Sequence, residues 1–436
     1  MMKLSLIEMK RLFYLYDYSI ELNHTDESSV TFITGPNGYG KTTMLNMLYG
    51  AWKGDFSLFF TTPFARIKYL MDEGSWMEIE QENTGSEGDT DNDICEKLVI
   101  RLHFPENERS VIVLNVSVEE ELSRRFKRFA DKWYDPIRKL YYSTSEAINA
   151  NPEISKSLLG FDLQSLLMNV QTQTCGIIRD QRLFYSDFAD VDGSNSIVHV
   201  NAATIDRQSQ FLNGILLGIK QNFDNNITVT TLGSTIEEHE YRQRYEVIKP
   251  LYETAMQVGI CKDYHLEYDS SQILLQSVYL PQIEALVSHY RQRLEDIKLF
   301  ATLIDNAAFS DKDFVLRCEE VLQERGGFCF KSQNEHESLL HSHLLSSGEQ
   351  NYLIQVFSLI FETPRGALVL IDEPETSLHM KWQVGYSDML RRIAMHKHLQ
   401  CIVATHLPQI FNGNWNNVVD LYETSHPEQF RQEDGE

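Results

Sequence analysis

Ser29-Val30-Thr31-Phe32-Ile33-Thr34-Gly35-Pro36-Asn37-Gly38-Tyr39-Gly40-Lys41-Thr42 is the stretch whose reading decides the fold. Its first six residues read as a short buried strand. Gly35 to Thr42 then fits the spacing GxxxxGK[ST], and an apolar helical pattern runs from Thr42 to Trp52. The bland alternative is a chance glycine loop, but the strand before and the helix after are the context a phosphate-cradling loop needs. Glycines let backbone amides turn inward around phosphate oxygens. The following helix aims its positive end at the same place. Gly35, Asn37, Gly38, Gly40, Lys41, Thr42 and Thr43 are therefore the expected nucleotide contacts. Lys41 reaches the β- and γ-phosphates, and Thr42 supplies an oxygen to Mg²⁺.

Leu368-Val369-Leu370-Ile371-Asp372-Glu373 is a second decisive run. Four apolar residues ending in two carboxylates read as a central parallel strand. Ligands gather at the carboxyl ends of such strands. Asp372 is then a Mg²⁺ ligand, direct or through water. Glu373 is placed to orient and deprotonate an attacking water. Alone, such a strand end is also compatible with a capped turn; the loop at Gly35–Thr42 tips the balance. Further upstream, Leu345-Ser346-Ser347-Gly348-Glu349-Gln350 precedes an apolar helical run, Tyr352–Phe361. Ser346 reads as a helix N-cap, and Glu349 completes a capping box.

In this order the motifs resemble those of ABC-type, SMC and related recombination ATPases. Ser346, Ser347 and Gly348 resemble the signature motif, which in that family covers the γ-phosphate bound to a second subunit. Glu375–His379 (ETSLH) falls where the family carries its D-loop. His406 ends the apolar run Ile402–Thr405 and resembles the switch histidine near the γ-phosphate. Gln181, in IIRDQRL after a short strand, resembles the Q-loop glutamine that touches Mg²⁺ and the lytic water. The resemblance covers about residues 1–205 and 320–423. Departures are Ser347 where glycine is usual, and ETSLH in place of the transporter-like SALD. PETSLH and DQRL instead resemble the OLD-related and anti-phage defence ATPases, most closely the PARIS type, with the Septu type second.

The resemblance implies an α/β fold: an ABC-type P-loop ATPase head with a split, mixed β-sheet core flanked by helices and a helical or short coiled-coil insertion. It implies residues 1–205 and 320–423 as the two halves of the head, 206–319 as the insertion and 424–436 as a tail. It implies ATP and Mg²⁺ as cofactors, and hydrolysis by Glu373, Gln181, His406 and Lys41 with Thr42, Gln181 and Asp372 at the metal. Implied partners are a second copy in a head-to-head dimer, or a hexamer built as a trimer of dimers. A separate Toprim-type nuclease effector and a phage trigger protein complete the set. Two other readings stay open: a RecF- or SMC-like repair ATPase with DNA across its heads, and a scaffold that binds ATP and hardly turns over. A transporter ATPase fits least.

Composition narrows the choice. The formal net charge of −24 disfavours indiscriminate nucleic-acid binding, which needs basic patches, so DNA is not the favoured partner. No apolar run approaches a membrane span, and the amino-terminal residues break their apolar character with Glu8, Lys10 and Arg11. Cys95, Cys175, Cys261, Cys318, Cys329 and Cys401 form no CxxC pair, which fits a reducing cytoplasm better than a disulfide framework or zinc ribbon. His336, His341 and His343 lack the carboxylate and cysteine company of a metal site and read as loop.

The remaining chain divides by pattern. Met2–Leu6, Leu12–Leu15, Tyr18–Leu22, Leu98–Phe104 and Ser110–Val116 read as strands, and Glu78–Glu96 as an exposed acidic loop. Val118–Leu167 reads as helical. Its basic cluster Arg124, Arg125, Lys127, Arg128, Lys132, Arg138 and Lys139, with Phe126, Phe129, Trp133 and Tyr134, suits an amphipathic helix docked on the head better than a strand-binding patch. Asp206–Glu324 reads as helix-rich, with long periodicity over Ile236–Val258 and Gln272–Leu303, the latter interrupted by Pro281.

Overall fold

A computed structural model describes residues 3–23, 29–53, 56–82, 95, 97–105, 112–117, 122, 126–129, 132–142, 147, 175–178, 200–227, 235–307, 309, 312–318, 327–332, 339–376, 378–413 and 415–426. The chain forms two compact units. The first comprises Met1–Asp180, Thr363–Thr376 and Gln383–Glu436; the second comprises Gln181–Glu362 and Ser377–Trp382. The expected α/β class is observed. Among the described residues, no helix is long and apolar enough to cross a membrane.

The first unit holds a parallel sheet of β3 (Val30–Thr34), β11 (Cys175–Ile178), β15 (Leu368–Asp372), β16 (Gln400–Ala404) and β17 (Val418–Asp420), in the order β11-β15-β16-β3-β17. Every residue of β15 and β16 is buried, as strands covered on both faces must be. Register sets Asp372 level with Ala404, and Ala404 level with Ile33. The ends of three neighbouring strands therefore stand at one edge. The chain leaves β3 through the glycine loop into α1 (Lys41–Lys53), which buries Met44, Leu45, Met47, Leu48, Ala51 and Trp52, and the short α2 (Ser57–Thr61) follows.

A separate antiparallel sheet runs β2-β1-β4-β5-β6-β7, from β1 (Leu4–Leu12), β2 (Tyr16–Glu21), β4 (Arg66–Met71), β5 (Trp76–Glu82), β6 (Lys97–His103) and β7 (Ile112–Ser117). The mixed core is thus two sheets, each of one kind. They are joined by Gln400, which is fully buried in β16. Its Oε1 accepts from Leu4 N at 2.9 Å, and its Nε2 donates to Leu4 O at 2.6 Å.

Three local expectations are corrected here. Leu12–Leu15 is mostly turn, because Phe13 and Tyr14 adopt left-handed φ values of 54° and 62°. Residues 78–82 belong to β5: Met77 and Ile79 face the core, and Arg101 neutralises Glu78 and Glu80 on the other face at 3.2 and 2.5 Å. Residues 83–94 lie outside the described residues. The basic segment is not a helix where it is described. Lys127–Phe129, Lys132–Asp135 and Leu140–Tyr142 form an antiparallel three-stranded sheet, β8 to β10. Its aromatics favour strand geometry, and Asp135 Oδ1 fixes the second turn by accepting from Ile137 N at 2.8 Å and Arg138 N at 3.1 Å. Arg124 and Arg125 lie outside the described residues.

The second unit contains α3 (Val200–Asn226), α4 (Glu238–Gln257), α5 (Ile273–His289) and α6 (Arg291–Ala307). The long pattern expected over 272–303 is two helices, parted at Tyr290 rather than at Pro281, which lies inside α5. Lys312–Arg317, expected within a helix-rich region, is strand β12, paired antiparallel with β13 (Gly327–Ser332), which also pairs with β14 (Leu339–Leu340). Phe300 packs against Phe314, Phe328, Phe357 and Phe361 with ring centroids 5.4–5.7 Å away, making an aromatic core. Helix α7 (Ser347–Phe357) completes the unit.

Candidate active site

The glycine loop is built as its spacing demands. Gly38 and Gly40 take φ values of +90° and +83°, which side chains rarely tolerate. A Cβ on Gly40 would also approach the Phe13 ring at 2.9 Å and Leu12 at 3.0 Å. Gly35 is buried, Asn37 is exposed and Thr43 is half-buried. Lys41 opens α1 and is buried. Its Nζ donates to Gly35 O at 2.6 Å and Pro36 O at 3.1 Å, so the ammonium is held against the loop. Burial pushes its pKa down from the ordinary lysine value; the carboxylates of Glu373, Asp372, Glu375 and Asp420 oppose that shift.

Thr42 and Asp372 are 330 residues apart in sequence, yet Thr42 Oγ1 donates to Asp372 Oδ1 at 3.2 Å. A hydroxyl and a carboxylate, both hard oxygen donors at one point, fit Mg²⁺. Glu373 follows in a left-handed conformation, φ 46°, immediately before Pro374. Such strain persists only where neighbours impose it. Here Glu373 N donates to Ala404 O at 2.9 Å, and Glu373 O accepts from Thr376 N at 3.1 Å. The constraint turns the Glu373 side chain, one-third exposed, toward His406: Oε1 lies 3.6 Å from Nδ1.

Sequence reasoning missed the role of Glu375. In sequence it reads only as part of a loop, but its carboxylate is buried and lies 3.3 Å from His406 Nδ1. A carboxylate beside proline carries no signal of burial; only the fold brings β16 against it. Also missed was an aromatic shelf beside the glycine loop. Tyr39 stacks on Tyr16 with centroids 4.9 Å apart, and Tyr422 lies 5.9 Å from Tyr39.

The structure therefore brings Lys41, Thr42, Asp372, Glu373 and His406 to one sheet edge. Gln181 lies outside the described residues. Ser346, Ser347 and Gly348 belong to the second unit. Ser346 and Ser347 are exposed. The expected capping box is formed: Ser346 Oγ accepts from Glu349 N at 3.3 Å, and Ser346 N donates to Glu349 Oε2 at 2.7 Å. Lys312 Nζ also reaches Glu349 at 2.8 and 3.0 Å. His341 and His343 are exposed with stacked rings, and His336 lies outside the described residues.

Solved structures similar to this chain include the Smc head domain from Pyrococcus furiosus with an extended coiled coil, bound to the C-terminal domain of ScpA. It is 12% identical, with 96% of this chain and 93% of that one covered, at a TM-score of 0.34. An SmcHead bound to the C-winged helix domain of ScpA is 13% identical, with coverage of 96% and 93% and a TM-score of 0.33. The SMC head domain from Thermotoga maritima is 12% identical, with coverage of 96% and 94% and a TM-score of 0.32. No curated protein matches the chain. The AAA ATPase domain family matches residues 2–411, which take in the glycine loop, the strand-end carboxylates and His406, and the chain belongs to that family.

Proposed function

We propose that this chain hydrolyses ATP and uses the cycle as a switch. One observation carries the reading: Lys41, Thr42, Asp372, Glu373 and His406 converge at the carboxyl edge of one parallel sheet. In the reaction, the glycine-loop amides and Lys41 bind the β- and γ-phosphates, and the shelf of Tyr16 and Tyr39 offers a stacking face to the base. Thr42 and Asp372, with Gln181, would hold Mg²⁺, which supplies Lewis-acid neutralisation of phosphate charge. Glu373 orients a water and takes its proton as the water attacks the γ-phosphate in line, while the bond from the γ-phosphorus to the β–γ bridging oxygen breaks and ADP leaves. Lys41 and His406 stabilise the charge that spreads over the γ-phosphate oxygens.

The site is completed by a second copy. Ser346, Ser347 and Gly348 open a helix whose amide end suits a trianionic phosphate. ATP closes the head-to-head dimer, and hydrolysis opens it. The output is a two-component anti-phage system in the cytoplasm. There the ATPase senses a phage protein and restrains or releases a separate Toprim-type nuclease. Support for this last step is the PETSLH and DQRL flavour of the motifs.

The test is phosphate release by the purified protein, with mass by light scattering, after purification together with the products of its neighbouring genes. Turnover by an oligomer carrying a nuclease-like partner is the expected result. One observation favours a second reading, a DNA-binding repair ATPase: Lys127, Lys132 and Tyr141 are exposed on the β8–β10 sheet, and Arg138 and Lys139 on the turn between β9 and β10. A lone protein that goes from monomer to dimer with ATP, and whose turnover rises with DNA, would establish that reading and sink the first.

A further inference from the structure

Glu375 has no part in the mechanism above, yet it is the most buried carboxylate at the site. Its side chain is 3% exposed. A carboxylate removed from water needs donors, and two consecutive residues just past β16 provide them to Oε1, while Oε2 is buried with no hydrogen-bond partner among the described residues. Thr405 Oγ1 donates to Glu375 Oε1 at 2.8 Å, and His406 N donates to the same oxygen at 3.1 Å. Thr405 Oγ1 in turn accepts from Leu407 N at 3.1 Å. Thr405 itself is fully buried. The ring is held too: Nδ1 stands 3.3 Å from Glu375 Oε1 and 3.6 Å from Glu373 Oε1. Both neighbours are acceptors, so Nδ1 carries the proton that faces them.

We infer that Glu375 is the positioning residue of His406: from the turn after β15 it fixes both the backbone and the ring of the histidine two residues past β16. This couples the two strand ends directly. Asp372 and Glu373 lead into the turn, and Glu375 closes it onto Thr405 and His406. The inference rests on the reading that His406 acts on the γ-phosphate.

The experiment is steady-state ATP hydrolysis by the full chain, comparing wild type with H406A, E375A, E375Q and the double variant E375A/H406A. If Glu375 acts through His406, E375A lowers kcat by about tenfold or more with KM within about twofold. The double variant then falls no further than H406A, because the two residues act as one unit. Glutamine keeps the Oε1 acceptor, so E375Q returns kcat to within about threefold of wild type. If E375A does not fold, E375D replaces it: one methylene shorter, it withdraws the acceptor, and kcat falls at unchanged KM. H406A impaired, with the E375A loss multiplying on top of it, overturns the inference alone. So does E375D at the wild-type rate, or an E375A defect confined to KM. H406A at the wild-type rate overturns the role of His406, and this inference with it.

Discussion

Replacing Gln400 with leucine tests how the site-bearing strand is held. Gln400 is fully buried and joins β16 to β1 through both atoms of its amide. A third, longer bond runs from Nε2 to Asn23 O at 3.3 Å. Leucine matches the side chain roughly in size but supplies neither donor nor acceptor. Leu4 N–H and C=O, in a residue that is itself fully buried, would lose these partners. A buried polar group left unsatisfied costs about 1–3 kcal/mol, so two cost about 2–6 kcal/mol. With a urea slope near 3 kcal/mol/M, a loss of about 3 kcal/mol lowers the midpoint by about 1 M. Trp52 lies in the same unit, buried edge-on against Tyr69 at 5.6 Å, and its fluorescence follows the transition. Hydrogen exchange at the Leu4 amide should accelerate in parallel. A midpoint within about 0.2 M of wild type would refute the argument that these bonds hold the two sheets together.

Glu373→Gln should bind ATP normally while kcat falls about 10²- to 10⁴-fold, read by phosphate release; a wild-type rate sinks the general-base assignment. Lys41→Ala should weaken ATP binding by about 100-fold or more in a fluorescent-nucleotide titration, since the loop loses the cation it cradles. Ser346→Ala should cost the second unit about 1 kcal/mol through its lost cap, with faster exchange at the Glu349 amide as the direct sign. Burial pushes the Cys175 and Cys401 thiols up to about 12. Both should therefore resist iodoacetamide at pH 8 in the native protein and react on unfolding, followed by mass spectrometry.

Much of the site was legible because its chemistry is local. Gly35–Thr43 places seven candidate contacts within nine residues, and backbone glycines can be read one at a time. The run Leu368–Glu373 announces its own burial through unbroken apolar character, and β15 is buried at every position. The capping box at Ser346 and Glu349 is equally local, and it formed as read. Patterns that mix cations with aromatics misled, because such residues suit an exposed helix face and an antiparallel strand alike. Pairing between Lys127–Phe129, Lys132–Asp135 and Leu140–Tyr142 decided that case.

The sequence by itself determined which residues are the candidates for phosphate and magnesium, since loop glycines, a lysine, a hydroxyl and strand-end carboxylates act through chemistry that spacing reveals. Only the tertiary structure decided who meets whom. The 330-residue separation of Thr42 and Asp372 closes to 3.2 Å because β15, β16 and β3 pair in parallel with their ends level. The same pairing brings Glu375 against Thr405 and His406 and forces Glu373 into a left-handed turn. Burial and strain of that kind belong to the packed sheet, and no local pattern of residues encodes them.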